Sequence, residues 1–134
     1  MALTPFLMFT GQAEEAMRFY VSVFPDGHIL NVEHFSAGED GTEGTIKRAT
    51  FRLAGQAFVC IDSPPMHDFD FTPSVSFCLD CDTVNQLDSL YEALAEGGQV
   101  FMPVATYPFA QRFVWLADRY GVSWQLSWVG AAHQ

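Results

Sequence analysis

Cysteine gives this chain its most recognisable chemical motif. Cys78 and Cys81 form a C-x-x-C pair, and Cys60 adds a third thiol, a set that could bind zinc or carry out redox chemistry. Cys78 falls within a predicted strand, where residues three apart point to opposite faces, and the chain has no second pair. We therefore interpret the cysteines as structural. Their odd number also argues against a disulfide framework and favours a cytoplasmic location.

Histidine offers a second candidate chemistry. His28 and His34 would share one face of a predicted strand and could hold a surface metal, although two exposed polar residues on an edge strand explain the same spacing. His67 lies in a proline-rich loop with Asp68 and Asp70, and we interpret it as a loop residue. No order of Ser, His and Asp typical of a hydrolase stands out.

The C-terminal stretch 113–128 combines aromatic and amide side chains. Two apolar runs flank Asp118-Arg-Tyr-Gly121, whose terminal Asp and Gly are typical of a type I turn. In the second run, apolar residues alternate with polar ones. Such a period of two predicts a strand with one face on the core and a polar face that could line a cavity. The apolar set is Trp124, Leu126 and Trp128, and the polar set is Ser123, Gln125 and Ser127.

Hydrophobic spacing predicts the same order of elements twice: a strand, a helix, a strand and a hairpin of two strands. In the first half these are residues 5–10, 12–24, 28–35, 48–53 and 56–62, with a tight turn at Ala54-Gly55. In the second half they are residues 74–80, a helix capped by Asp82, residues 100–104 and the hairpin in 113–128. A proline-rich segment, 63–73, connects the halves.

Length and charge exclude several classes of function. The 134 residues suit one domain, and 49% hydrophobic residues are ample for a packed core. The net charge of −10 disfavours nucleic acid and anionic membrane surfaces as partners. No apolar run approaches a membrane span, and the N-terminus has no cleavable apolar segment, which again favours the cytoplasm.

The duplicated order resembles the vicinal oxygen chelate superfamily, which includes glyoxalase I, bleomycin-resistance proteins and extradiol dioxygenases. Within it, the chain is similar to the PhnB-like branch often labelled 3-demethylubiquinone-9 3-methyltransferase. The matching motifs are Pro5-Phe-Leu-Met-Phe, Glu15-Ala-Met-Arg-Phe-Tyr20 with Val23-Phe24, and Trp115-Leu-x-Asp118-Arg-Tyr-Gly121-Val-Ser-Trp124-Gln125.

The resemblance implies an α+β fold of two βαβββ modules whose curled mixed sheets surround a pocket. It also implies a homodimer. We predict a single domain over residues 1–134, with module one at about 4–62, a linker at 63–73 and module two at about 74–129. Which face of strand 113–117 lines the pocket stays open, because a one-residue register slip would swap the faces.

Metal-dependent relatives hold their ion with four side chains, two from each module. One lies on the module's first strand and the other near the end of its sheet. The matching positions here are Pro5, Ala49, Ser74 and Gln125. Pro and Ala cannot ligate, and Ser and a neutral amide are poor ligands. Arg48, beside Ala49, would be no better. We therefore predict no metal and no cofactor.

The pocket is expected to be apolar and edged by Arg48, Ser74 and Gln125. Arg48 is one of few basic residues, and its planar guanidinium suits a carboxylate or phosphate, although an exposed strand-end arginine is the alternative interpretation. Aromatic residues could line the pocket or simply form core: Phe9, Phe51, Phe109, Phe113 and Trp115. Of these, we name Phe9, Phe51 and Trp115 as candidate ligand contacts.

The leading functional hypothesis is therefore binding of a small organic molecule, aromatic and anionic, by a homodimer. The alternatives are a metal-dependent glyoxalase- or dioxygenase-type enzyme, and a structural dimer whose cavity its own side chains fill. A methyltransferase of the common α/β type would need a Gly-rich turn between a parallel strand and a helix, and the sequence contains none.

Overall fold

The computed structural model of the chain describes residues 1–64 and 66–130, which divide into two compact units. The first unit runs from Met1 to Asp68, and the second begins at Phe69. Pro65 of the predicted linker and residues 131–134 of the predicted domain lie outside the described residues. Within the described residues, no helix is long and apolar enough to cross a membrane.

Both units have the predicted order of strand, helix and three strands. The first contains β1 (Phe6–Phe9), α1 (Ala13–Val23), β2 (His28–His34), β3 (Ile46–Leu53) and β4 (Gln56–Asp62). The second contains β5 (Phe77–Asp80), α2 (Val84–Ala95), β6 (Gln99–Tyr107), β7 (Ala110–Ala117) and β8 (Ser123–Trp128).

The two sheets share one topology. In the first, the strand order is β1-β4-β3-β2, with β1 parallel to β4 and the other pairs antiparallel. In the second, the order is β5-β8-β7-β6, with β5 parallel to β8 and the other pairs antiparallel. Both are open mixed sheets. The predicted α+β class, with two βαβββ modules, is confirmed.

In the first unit, α1 covers one face of its sheet because its apolar residues recur at three and four. Tyr20 of α1 is fully buried, and its ring centroid lies 6.4 Å from that of Phe51 on β3. Phe51 in turn stacks on Phe58 of β4, with 5.4 Å between centroids. Residues on this face of β3 are therefore core.

The turn at Ala54-Gly55 joins β3 to β4 as predicted. Both residues have positive φ, 51° and 78°, which is the backbone of a type I′ hairpin. Asp26 stabilises the turn from outside the hairpin, since its carboxylate accepts the N–H groups of Ala54 and Gly55 at 2.9 and 3.1 Å.

In the second unit, α2 packs on one face of the sheet, over β7 and β8. Its buried Leu87, Leu90 and Leu94 have helical spacing and form an apolar stripe. Arg112 of β7 donates to Asp88 of α2 at 2.7 Å, so alternate residues from Arg112 onwards face the helix. The core residues on this face of the sheet are Val114, Leu116, Trp124 and Leu126.

Two predicted details in the second unit were wrong. The first strand begins at Phe77 and not at Ser74, because pairing with β8 starts at Phe77 opposite Trp124. The helix is capped by Thr83 and not by Asp82. Thr83 has extended backbone, and its hydroxyl accepts the Gln86 N–H at 3.1 Å, as an N-cap side chain does.

The prediction that His28 and His34 share a face was also wrong. The β2–β3 register shifts twice, and the extra residue of the first shift lies on β2, whereas that of the second lies on β3. The alternation along β2 is therefore reversed once between the two histidines. His34 bonds to Glu14 of α1 at 2.9 Å, whereas His28 bonds to the Asp26 carbonyl at 3.1 Å. The two imidazoles therefore do not form a pair.

Candidate functional site

In each unit one face of the sheet packs against that unit's helix; we call the opposite face the helix-distal face. In the second unit, the residues alternating with Arg112 point to it, namely Phe113 and Trp115 on β7. Their partners on β8 are Ser127 and Gln125. The structure therefore resolves the register left open by the sequence: Phe113 and Trp115 share the helix-distal face.

Trp115 is a half-exposed side chain on this face with both a polar and an aromatic contact. Its indole N–H donates to the Ser123 hydroxyl at 2.9 Å. Ser123 is 2% exposed and shares a second hydrogen bond with Ser76 at 2.7 Å. On β6, the Phe101 ring lies 4.9 Å from the indole at a tilt of 49°. The indole is therefore held by one strong polar contact and one aromatic contact.

Gln125 lies directly opposite Trp115 and is half-buried. Its amide makes no hydrogen bond to any of the residues that the structure describes. An amide offers both donors and an acceptor, and directly paired residues have Cβ atoms about 5 Å apart. An aromatic surface and an unused amide are thus neighbours on one face.

An aromatic cluster lies near the tip of the β6–β7 hairpin. Phe109 is 57% exposed and meets Phe113 edge to face, with ring centroids 4.8 Å apart. Tyr107 stacks on Phe109 at 5.7 Å, and its hydroxyl donates to the Pro103 carbonyl. Phe113 is therefore shared between this cluster and the helix-distal face.

In the first unit, Arg48 lies on the helix-distal face and is exposed. Its neighbour Ala49 is fully buried on the opposite, helix-covered face. The Arg48 guanidinium carbon lies 6.0 Å from the centroid of the Phe6 ring, at the outer limit of a cation–π contact. Phe6 is itself 54% exposed.

Arg48 differs from the other basic residues in its lack of a polar partner. Among the described residues it forms no ion pair or hydrogen bond. The other five basic side chains bond to a carboxylate or a carbonyl oxygen: Arg18 to Glu14, Lys47 to Glu39, Arg52 to the Gly55 carbonyl, Arg112 to Asp88 and Arg119 to Glu96. Glu33 on β2 is the direct cross-strand neighbour of Arg48.

The structure does not bring all the predicted contacts onto these faces. Phe9 and Phe51 are 4% and 0% exposed and belong to the core beside α1. Ser74 is exposed ahead of β5, where its hydroxyl bonds to Thr72 at 2.7 Å. Pro5 precedes β1, and its carbonyl accepts the Val59 N–H.

Comparison with known proteins identifies the family. The family model described as 3-demethylubiquinone-9 3-methyltransferase matches residues 1–127. The chain belongs to this family. A PhnB protein from Bacillus cereus is 46% identical, with a TM-score of 0.91 over 96% of this chain and 99% of that one.

Two further solved structures extend the likeness. A Pseudomonas aeruginosa protein is 26% identical, with a TM-score of 0.84 over 96% of this chain and 97% of that one. A glyoxylase/bleomycin resistance protein/dioxygenase domain from Frankia, 16% identical, shares the fold, with a TM-score of 0.68 over 99% and 95% of the two chains. A comparison with curated proteins finds no match. This PhnB-like chain therefore has the vicinal oxygen chelate fold.

One residue of the PhnB-like motif has a structural role that the sequence indicated only in part. Asp118 was predicted to bond its own turn, and its carboxylate does accept the Tyr120 N–H at 2.8 Å. It also accepts the Val122 N–H at 3.1 Å and the Trp124 indole N–H at 2.9 Å. Asp118 is 3% exposed, so this turn is tied to the core.

Asp62 was missed by the sequence reasoning. At 6% exposure, its carboxylate accepts the N–H groups of Gly11 and Ala13 at the start of α1, and that of Ile46 at the start of β3. It therefore joins three elements of the first unit. The available signal was an acid ending an apolar strand, where a buried charge needs donors.

The thiols do not form a cluster. Among the described residues, no three His, Cys, Asp or Glu side chains are placed to hold a metal ion. Cys78 is exposed, whereas Cys60 and Cys81 are buried. Burial raises the pKa of Cys60 to about 12 and that of Cys81 to about 11, so both stay protonated at neutral pH.

Proposed function

We propose that this PhnB-like protein binds a small aromatic ligand on the helix-distal face of its second unit. The observation that carries the proposal is the pairing of Trp115 with Gln125. A half-exposed indole held by Ser123 is a preformed stacking surface, and the amide beside it makes no hydrogen bond within the described chain. Apolar surface with a few placed polar groups is the usual composition of a small-molecule site.

Arg48 supports an anionic ligand. The chain carries a net charge of −10, so its average field repels anions. Glu33 lies directly opposite Arg48 on β2, yet the Arg48 guanidinium forms no ion pair within the described chain, and its planar fork suits a carboxylate. Salt screens exposed charges beyond about 8–10 Å, so this attraction acts at short range. We therefore assign to Arg48 a preference for carboxylate over neutral ligands at the helix-distal face of the first unit.

The residues at the superfamily's metal positions do not fit a divalent ion. Pro5 and Ala49 have no donor atom, Ala49 points into the core, and the Ser74 hydroxyl bonds to Thr72. The proposed function therefore uses the chain's own polar groups.

The turn from β1 to α1 does not fit the methyl-donor cofactor that the family description implies. In the turn from β1 to α1, the Gly11 and Ala13 N–H groups already donate to Asp62. These are the groups that would approach a nucleotide-like cofactor over a strand-to-helix turn. No step of the proposal involves such a cofactor.

Paired probes test the binding proposal. 2-Naphthoate and 2-naphthamide differ in charge and have nearly the same shape, and isothermal titration gives both dissociation constants. Trp115→Ala is expected to weaken both by about 5- to 100-fold, the loss of about 1–3 kcal/mol of stacking. Ser127→Ala, on the same face of β8, is the matched control. Equal affinities for wild type and Trp115→Ala would contradict the proposal.

The Arg48 assignment has its own test. Arg48→Ala should weaken 2-naphthoate and leave 2-naphthamide nearly unchanged. Arg52→Ala, four residues further along the same face of β3, is the control, since the Arg52 guanidinium already donates to the Gly55 carbonyl. If Arg48→Ala leaves the ratio of the two affinities unchanged, Arg48 does not select anions.

We also propose that the protein is a homodimer in the cytoplasm. Each sheet ends in edge strands, and such strands are usually paired, covered or charged. On the edge strand β1 the exposed Phe6 is apolar, as is Leu30 at 50% exposure on the edge strand β2. The location is supported by unpaired thiols at Cys60, Cys78 and Cys81.

A further inference from the structure

The hydrogen bond between Trp115 and Ser123 determines which part of the indole is available. The indole has a single N–H donor, and that donor is occupied at 2.9 Å by a hydroxyl that is itself 2% exposed. Ser123 is fixed in turn by Ser76 at 2.7 Å. We propose that the Ser76–Ser123 pair is a positioning device that directs the ring of Trp115, and not its N–H, towards the ligand.

This inference rests on the proposed function and narrows the class of ligand. With the indole N–H occupied, Trp115 contributes stacking and apolar contact alone, and polar recognition on this face falls to Gln125. The two residues are a direct cross-strand pair, about 5 Å apart at Cβ. The ligand should therefore carry a hydrogen-bonding substituent directly on its aromatic ring, within about 5 Å of the part that stacks on the indole.

Rigid placement also explains the burial of Ser123. A serine without a partner at 2% exposure would cost stability, whereas here its hydroxyl takes part in two hydrogen bonds. Phe101, whose ring centroid lies 4.9 Å from that of the indole, also restricts the ring. A side chain fixed before binding loses less entropy when the ligand arrives.

The first measurement needs no ligand. In a ¹H–¹⁵N spectrum, the Trp115 indole resonance is assigned as the one missing from Trp115→Phe. Ser123→Ala should shift this resonance upfield and speed its hydrogen exchange, while the Trp124 indole, bonded to Asp118, stays in place. Ser127→Ala, on the same strand and face, should change neither. An unchanged Trp115 resonance in Ser123→Ala overturns the positioning role.

The second measurement is affinity for 2-naphthamide. Ser123→Ala should weaken it by about two- to tenfold, the cost of immobilising one side chain on binding. In a Trp115→Phe background, which has no indole N–H, the same change should have no effect. Ser76→Ala, at a half-buried site ahead of β5, provides a second variant and should weaken binding in the same direction by less.

The outcomes separate the two claims. If the wild type binds neither probe, the proposed function fails. If the wild type binds and Ser123→Ala binds equally well, the positioning role fails while the function stands. An equal loss from Ser123→Ala in both the wild-type and Trp115→Phe backgrounds would assign the effect to general damage of the sheet, and would also overturn the positioning role.

Discussion

Trp124 and Gln125 show how adjacent residues of β8 serve different faces. Trp124 is 2% exposed on the helix-covered face, and its indole N–H donates to the buried Asp118 carboxylate at 2.9 Å. Gln125 is half-buried on the helix-distal face, opposite Trp115. The alternation of a strand therefore separates a buried core residue from the residue that we propose contacts the ligand.

We expect Trp124→Ala to destabilise the protein by about 3–5 kcal/mol, because truncation leaves a core cavity and removes a donor from a buried carboxylate. Gln125→Ala should change the free energy of unfolding by no more than about 0.5 kcal/mol. Urea midpoints at equal m-values give the comparison. Similar losses from the two variants would mean that the assignment of the faces is reversed.

The buried thiols predict a dependence of stability on alkaline pH. Burial raises the pKa of Cys60 to about 12 and that of Cys81 to about 11 in the folded protein, above the ordinary value of 9.0. The folded state therefore binds more protons, and this contribution is present below pH 9 and lost as the pH rises towards 11–12. Cys60→Ala should reduce the loss of stability between these values, measured by urea unfolding. If the free energy of unfolding falls equally with pH in wild type and Cys60→Ala, the Cys60 thiol does not cause the loss.

At the residue scale, the sequence identified only some of the side chains that lie on the helix-distal faces. Arg48 was selected because basic residues are scarce, and its orientation became clear only from the strand register. Phe9 and Phe51 were expected at the pocket but are core, since they lie on the helix-covered face of the first sheet. A one-residue change of register reverses such an assignment, and composition does not determine register.

At the scale of single elements, the sequence predicted strands and helices well where local pattern decides them. β4 and the turn at Ala54-Gly55 follow from alternation and turn chemistry. The start of β5 depends on its partner: β8 begins at Ser123, directly after a turn, so residues before Ser76 have no strand to pair with. The first residue of β5 is therefore set by a tertiary contact, which the sequence of residues 74–76 does not reveal.

The cap of α2 gives a prediction at this scale. Thr83→Ala should destabilise the protein by about 1 kcal/mol, because the Gln86 N–H loses its acceptor. Asp82→Ala, one residue earlier and exposed, should have little effect and is the matched control. Thermal unfolding of both variants decides between them. A larger loss from Asp82→Ala would restore Asp82 as the cap.

At the scale of the whole molecule, the repeat of element order was the strongest signal in the sequence. The two units share strand order and pairing direction although their residues differ widely. Buried carboxylates recur in both, Asp62 in the first and Asp118 in the second, each accepting at least three hydrogen bonds from N–H groups of the described residues. The sequence indicated only the bond of Asp118 to its own turn, because the other donors become neighbours of these carboxylates only on folding.

The homodimer proposal belongs to this scale. Light scattering after size exclusion at micromolar concentration should give twice the chain's mass. Phe6→Glu, which adds charge to the edge strand β1, is expected to shift the protein towards monomer if β1 contributes to the interface. A wild type of single-chain mass would contradict the dimer.

The most direct test of the central claim is a titration of ¹⁵N-labelled protein with 2-naphthoate, followed at the tryptophan indole N–H resonances. We predict a saturable shift of the Trp115 resonance, while that of Trp124 hardly moves, because Trp115 lies on the helix-distal face and Trp124 is buried against the helix. A saturable shift at Trp124 without one at Trp115, or no shift at either, would contradict ligand binding at this face.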